Sequence, residues 1–149
     1  MSILANARRV VTPWHLWLVG VLALLWNVAG ALDFVMTQTR DARYLANFSQ
    51  QQLDHVYSLP TWVVVFWGIA VGTGVLGALL LLLRRRLAPT VFFVSLLALL
   101  AVYVRNYLFD NALEVMGDAL SLWFSAAIVV VAIFLFFYAG IMNSRGVLR

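Results

Sequence analysis

Cysteine is absent from the 149-residue sequence, and its absence excludes several kinds of chemistry. Without thiols the chain can form no disulfide, iron–sulfur cluster or thiolate zinc site, and it can carry no thiol redox centre. The two histidines, His15 and His55, lie on either side of the first long apolar run. We expect them to be roughly a membrane thickness apart, too far to share a metal or haem. We therefore predict no cofactor and no metal site.

Charged residues are also scarce. They make up 11% of the chain, whereas 64% of its residues are hydrophobic and the mean hydropathy is +0.97. This balance leaves too little polar surface to coat a globule in water, so it predicts an integral membrane protein. Although the sequence pI is about 10.1, the basic residues are spread over short segments beside the apolar runs, and we expect no nucleic-acid partner.

Long apolar runs, in contrast, are abundant. Each of four runs can cross a hydrocarbon layer of roughly 30 Å at about 1.5 Å per residue. We predict membrane spans at Trp14 to Met36, Pro60 to Leu83, Pro89 to Phe109 and Ala119 to Met142. Short connections link the later spans. The pattern therefore predicts an all-α, up-down four-helix membrane bundle that forms a single domain over residues 1–149.

Lysine is absent too, so ten arginines supply all the positive side-chain charge outside histidine. Seven of them occupy alternate gaps between the runs: Arg8, Arg9, Arg84, Arg85, Arg86, Arg145 and Arg149. Because basic residues are retained in the cytoplasm, both termini and the middle loop are predicted to be cytoplasmic. A cleaved secretory signal ending at Ala29-Gly30-Ala31 is the alternative for the N-terminus. The apolar run continues to Met36 and favours a span.

The longest connection, residues 37–59, carries helical signals of its own. Ser49 and Gln52 have the spacing of a capping box, and apolar residues follow at helical intervals. Tyr44 and Phe48 belong to a second apolar edge upstream. We predict short amphipathic helices that cover the outer leaflet or the bundle, with a dedicated lid or docking surface as the alternative.

Polar residues of the spans are concentrated toward the predicted outer end. The first and third spans each carry a polar stripe at helical spacing, and the segment between spans one and two adds further groups. The predicted extracytoplasmic pocket consists of Trp26, Asn27, Asp33, His55, Tyr57, Tyr103, Arg105, Asn106 and Asp110.

Asp33 is the leading candidate in this pocket. A carboxylate inside a membrane is costly, so it should face the bundle and find a donor. Tyr103, Arg105 and Asn106 are the expected donors. A structural clamp and a ligand or proton site are both compatible with this arrangement.

Gly68 and Gly72 in the second span have the small-xxx-small spacing that lets helix backbones approach closely. The spacing can serve packing within the chain or contact with a second copy. The second interpretation predicts a homo-oligomer through the Gly68/Gly72 face, and a glycine-lined substrate path is a third interpretation. A membrane-protein partner, independent of these glycines, is an alternative to the homo-oligomer.

Several segments carry a resemblance to known proteins. They are WHLWLVGVLALLWNVAGALDFVMTQTR from Trp14, the pairs Tyr44-Leu45 and Gln52-Leu53, Pro60 with Trp62, GALLLLLRRRLA from Gly77, and LEVMG from Leu113. These segments resemble a family of small four-span bacterial inner-membrane proteins, many of which are called sugar transporters or have no assigned function. The resemblance implies the four-span topology and a bacterial inner membrane. It transfers no catalytic or binding residue.

Three functions remain open at this point. We favour a non-enzymatic accessory or ligand-binding subunit, whose outer pocket takes a small molecule, a lipid headgroup or a partner helix. An oligomeric small-solute transporter, for sugars for example, would need a polar path, yet the inner halves of the last three spans have almost no polar side chains. An intramembrane lipid or quinone enzyme would need Asp33 and His55 within hydrogen-bond reach.

Overall fold

The computed structural model describes residues 10–110, 114 and 119–149, and these residues form helices without any strand. The four long helices are α1 (Trp14–Gln38), α4 (Thr61–Leu82), α5 (Ala88–Val104) and α6 (Ala119–Ser144). The two short helices between α1 and α4 are α2 (Ala42–Leu45) and α3 (Gln50–Tyr57). The predicted all-α fold with four long apolar helices is confirmed. Arg8, Arg9 and most of the LEVMG segment lie outside the described residues.

The chain's three prolines all stand where a long helix begins. Pro13 precedes α1, Pro60 precedes α4, and Pro89 lies in the first turn of α5. Proline has no N–H to donate, and its fixed φ suits the first helical turn, where that donor would have no partner in the helix. The starts of these three helices are thus determined by the local sequence.

A π-helical turn, Arg105–Phe109, continues α5 to the end of the predicted third span. The Asp110 N–H closes it by donating to the carbonyl of Arg105 at 3.1 Å, five residues back. Such a turn widens the helix by one residue and re-aims the side chains beyond it. The sequence gives no signal for this turn.

The connecting segment folds as its pattern predicts. The Gln52 N–H donates to Ser49 Oγ at 3.2 Å, and the Ser49 N–H donates to Gln52 Oε1 at 3.0 Å. This reciprocal pair is the predicted capping box, and it starts α3. We call the end of the molecule that carries α2 and α3 the outer end, and the end that carries Arg84–Arg86 the inner end.

The long helices pack in sequence, α1 on α4, α4 on α5 and α5 on α6. Gly68 faces α1, since a Cβ there would lie 3.1 Å from the Phe34 ring. Gly72 is exposed, and a Cβ there would meet nothing within 4 Å. The two glycines therefore differ: Gly68 serves packing within the chain, and Gly72 lies on an open face.

The main buried cluster includes many residues at the inner end. Leu16 of α1, Leu81 of α4 and Met142 of α6 are at most 2% exposed, and so are Val147 and Leu148 of the segment after α6. That segment turns back at Gly146, whose positive φ of 71° and whose backbone hydrogen bonds form a Schellman ending.

Backbone hydrogen bonds connect the same segment to the loop that contains Arg84–Arg86. The Arg149 N–H donates to the Arg84 carbonyl at 2.6 Å, and the Arg86 N–H donates to the Arg149 carbonyl at 3.1 Å. The arginines of the middle loop and of the C-terminal segment therefore lie at one end of the molecule. The charge pattern predicts that these two groups of arginines lie at the same end. The burial of the C-terminal segment is not evident from the sequence.

Candidate functional site

Asp33 lies on α1, little more than one turn from the outer end of the helix, and is half-buried. Its carboxylate accepts a hydrogen bond from the Tyr44 hydroxyl. Among the described residues, Tyr44 is the side chain that donates to Asp33, and the three expected donors on the third span do not. The expected partner was wrong because the donor comes from the connecting segment, not from a neighbouring span.

Local structure places Tyr44 over Asp33. Asp41 caps α2 by accepting from the Tyr44 N–H at 2.9 Å, and the Tyr44 ring packs against Phe48 with centroids 5.6 Å apart. Burial raises the pKa of Tyr44 to about 12, helped by the hydrogen bond to Asp33 and by the negative charge of that carboxylate. Tyr44 is thus a neutral donor at physiological pH.

The predicted pocket residue Tyr57 anchors α3 instead of lining a cavity. Its hydroxyl donates to the carbonyl of Thr37 at 2.9 Å, and the guanidinium of Arg40 lies 4.3 Å from its ring centroid. The side chain of His55 is half-buried and makes no hydrogen bond with any other described residue. The Asp33–His55 contact that an enzyme would need is therefore not formed between these two residues.

The third-span residues separate into two groups. The Tyr103 and Tyr107 rings pack at a tilt with centroids 5.7 Å apart, and the Tyr107 hydroxyl donates to Ser125 Oγ of α6 at 3.0 Å. Within the described part of the chain, the Oδ1 atom of Asn106 is buried without a hydrogen-bond partner.

Arg105 and Asp110 form the other group. Their side chains make a salt bridge of 2.5 Å across the π-helical turn, and each is about a quarter exposed, at 25% and 27%. Arg105 also lines an open cavity of about 530 Å³ together with Trp62, Val104 and Phe109. The guanidinium is therefore held by its own turn and is not directed at Asp33.

Asn27 lies at a different depth, in the packed centre of the bundle. Its Nδ2 donates to the Ala23 carbonyl at 2.8 Å, and its Oδ1 occupies the space that a Cβ on Gly74 would need. Ser95 is adjacent and donates to the Ala70 carbonyl at 2.7 Å. Asn27 packs α1 against α4 and takes no part in the outer cluster.

Trp26 lies on the side of α1 that faces α6. Its ring centroid is 6.0 Å from that of Phe124, and below this contact an apolar cavity of about 230 Å³ opens between the two helices. The cavity is lined by Val19, Leu22, Ala23, Trp26, Val131, Phe134 and Leu135. We call this cavity the α1–α6 groove.

A second polar pair closes the inner end of the groove. His15 Nδ1 and the Tyr138 hydroxyl are hydrogen-bonded at 2.5 Å, which joins the start of α1 to the last part of α6. Sequence reasoning did not place His15 or Tyr138 in a site. Tyr138 interrupts an otherwise apolar run on the fourth span, and this was the available signal.

The described residues contain no group of three or more acidic or histidine side chains that could hold a metal. They do contain four helices long and apolar enough to cross a membrane, and these mark the chain as a multi-pass membrane protein. No known protein family matches the chain, and comparisons with curated proteins and with solved structures give no similar protein.

Proposed function

We propose that this chain is a non-enzymatic ligand-binding protein of the bacterial inner membrane, and that its ligand enters the α1–α6 groove from the bilayer. The observation that carries this proposal is the position of Asp33. The carboxylate stands on the face of α1 that also carries Trp26, above an apolar cavity of about 230 Å³. A few polar groups at one end of an apolar cavity are typical of small-molecule sites.

The two ends of the groove support this interpretation. At the inner end, the His15–Tyr138 pair joins α1 to α6. At the outer end, Tyr44 of α2 reaches Asp33 from a short helix outside the spans. A ligand that enters between the helices can therefore bring its polar group to Asp33. That group would replace the Tyr44 hydroxyl as the partner of the carboxylate.

Native mass spectrometry of the full chain, purified in mild detergent, tests the proposal through a matched pair of variants. Leu22 lines the groove and Leu25 does not, although both are exposed leucines of α1, at 56% and 63%. We expect one small molecule or lipid retained per chain in the unmodified protein and in Leu25→Trp, and its loss in Leu22→Trp. Equal retention in both variants would refute the proposal.

The orientation in the membrane is part of the proposal. The described arginines of the middle loop and C-terminal segment share the inner end, which supports placing both termini in the cytoplasm. Because the chain has no cysteine, single cysteines report sidedness directly. A thiol reagent that cannot cross membranes should label exposed Gln51→Cys on intact spheroplasts, and it should label exposed Ser144→Cys only after the membrane is opened. The reverse pattern would invert the topology.

An oligomeric small-solute transporter is the second candidate, and the open face at Gly72 favours it. A second copy could pack closely there and contribute to a path that one copy lacks. We expect Gly72→Leu to abolish both subunit cross-linking and solute uptake into proteoliposomes if the chain works this way. Uptake by a monomeric Gly72→Leu variant would exclude the oligomeric mechanism.

A further inference from the structure

One face of α1 runs the length of the groove. His15, Val19, Leu22, Trp26 and Asp33 share this face, because successive spacings of 4, 3, 4 and 7 residues follow the helical repeat. The first four contact α6 or line the groove. Asp33 is thus the polar outer end of a surface that is apolar from Val19 to Trp26, and it lies eleven residues or roughly 16 Å of helix beyond Leu22.

In the part of the chain that the structure describes, no cationic side chain pairs with Asp33. Within the described residues, the Arg105–Asp110 pair is the salt bridge, and Asp33 receives only the neutral hydroxyl of Tyr44. Residues 111–113 and 115–118 contain no basic residue, so that connection cannot supply one. A carboxylate near the hydrocarbon layer is more stable with a positive charge beside it.

The surroundings of Asp33 are aromatic. Tyr44 donates to the carboxylate, and Trp26 stands two turns below on the same face of α1. Aromatic faces attract ammonium groups, most strongly where water is excluded. A carboxylate that is bound by a tyrosine, on the helix face that also carries a tryptophan, is complementary to a cation that also has apolar surface.

We infer that the α1–α6 groove takes a cationic amphiphile, with an amine or quaternary ammonium group at Asp33 and an aliphatic chain along Trp26 and Leu22. This inference rests on the proposed function, because it names the ligand class of the same groove. An anionic headgroup is repelled by Asp33. Of the outer-end arginines, Arg105 pairs with Asp110, the guanidinium of Arg40 lies over the Tyr57 ring, and Arg43 belongs to α2.

The test uses radiolabelled dodecyltrimethylammonium and the full chain in nanodiscs. Equilibrium binding is compared with that of an uncharged glucoside carrying the same alkyl chain, and empty nanodiscs give the partition into lipid. We expect a saturable component of one dodecyltrimethylammonium per chain, and an affinity for the glucoside that is lower by about tenfold or more.

Variants of Asp33 test whether this carboxylate recognises the positive charge of the ligand. Asp33→Asn should lower the affinity for dodecyltrimethylammonium by at least about tenfold, whereas Asp33→Glu should keep most of it. Asp110→Asn is the matched control, because Asp110 is an outer-end acid that pairs with Arg105 and lies off the groove. It should leave the affinity unchanged. Far-ultraviolet circular dichroism and the elution volume report whether each variant is folded.

The outcomes separate this inference from the proposed function. If both amphiphiles bind equally, and both are lost in Leu22→Trp but not in Asp33→Asn, the groove binds ligand without reading charge and the inference is wrong. If neither amphiphile shows a saturable component, or if Leu22→Trp changes nothing, the groove is not a site and both proposals fail. Loss of cation binding in Asp110→Asn would place the charge recognition elsewhere and would also overturn the inference.

Discussion

At the scale of single residues, two glycines of α4 should respond oppositely to the same added methyl group. A Cβ at Gly74 would overlap Asn27 Oδ1, whereas at Gly72 it would meet nothing within 4 Å. We expect Gly74→Ala to lower the free energy of unfolding by about 1–3 kcal/mol through overpacking. Gly72→Ala should raise it by up to about 1 kcal/mol, because alanine favours the helix. Thermal unfolding in mild detergent measures both.

A double variant tests the cause assigned to Gly74. Removing the Asn27 amide gives the new methyl group room, so Asn27→Ala combined with Gly74→Ala should be less destabilising than the sum of the two single changes. Additive effects would show that Gly74→Ala acts through something other than the side chain of Asn27.

Tyr44 gives a prediction about pH. Its pKa is raised from 10.0 to about 12, so the neutral hydroxyl is favoured in the folded protein. The stabilisation from the Tyr44–Asp33 hydrogen bond is therefore complete below pH 10 and is lost as the pH rises through about 12. The tyrosinate absorbance of the unmodified protein minus that of Tyr44→Phe should show one group titrating near pH 12.

Asp33→Asn separates the causes of this shift. The substitution removes the charge and weakens the hydrogen bond, while the largest cause, burial, remains. The pKa of Tyr44 should therefore fall, without reaching 10.0. An unchanged midpoint would mean that Asp33 does not contact Tyr44 in solution.

At the scale of helices and segments, the C-terminal segment after α6 is part of the buried core. Leu148 is fully buried, whereas Leu108 at the other end of the bundle is 75% exposed. We expect Leu148→Ala to lower the free energy of unfolding by roughly 2–5 kcal/mol, because it leaves a cavity between packed helices. Leu108→Ala is the matched control and should change it by less than about 0.5 kcal/mol.

Equal effects of the two leucine substitutions would mean that the C-terminal segment is not packed in the membrane-embedded protein. Chemical denaturation followed by tryptophan fluorescence can check this result independently of heating. Both substitutions remove the same atoms, so their effects on the free energy of unfolding can be compared directly.

The helices themselves could largely be predicted from the sequence. The four spans follow from the lengths of the apolar runs, and Pro13, Pro60 and Pro89 mark three of their starts. The capping box at Ser49 fixes α3 through neighbouring residues alone. The π-helical turn and the buried C-terminal segment could not be predicted, because both depend on contacts between distant parts of the chain.

The candidate site was predictable only in part. The cost of an intramembrane carboxylate singles out Asp33 without any structure. Its donor could not be identified, because the reach of Tyr44 depends on how α2 folds back over α1. Regular helical spacing puts Tyr103, Asn106 and Asp110 on one face. The π-helical turn lies between Tyr103 and Asp110, so it changes the helical register and these residues no longer share that face. His15 could not be assigned to the site either, because its partner Tyr138 lies 123 residues away in the sequence.

At the scale of the whole molecule, the long helices pack in sequence, and α1 and α6 then meet through side chains on either side of the groove. This arrangement can be tested with cysteine pairs, since the chain has no other thiol. Leu22 and Phe134 line the groove from opposite sides. We expect a short bifunctional thiol reagent to join Leu22→Cys to Phe134→Cys within one chain, which gel mobility after proteolysis between the helices would report.

The control pair keeps Phe134→Cys and moves the first cysteine to Leu25, which is as exposed as Leu22 but lies off the groove. Three residues of helix rotate a side chain by about 300°, which puts Leu25 roughly 60° from Leu22, on the side opposite the other α1 lining residues. Leu25→Cys therefore lies beside the groove, less than one helical turn from the depth of Leu22. Linkage of the Leu22 pair alone fixes the rotation of α1 against α6. Equal linkage of both pairs would mean that α1 does not hold one face toward α6, and the groove would then not exist as a defined site.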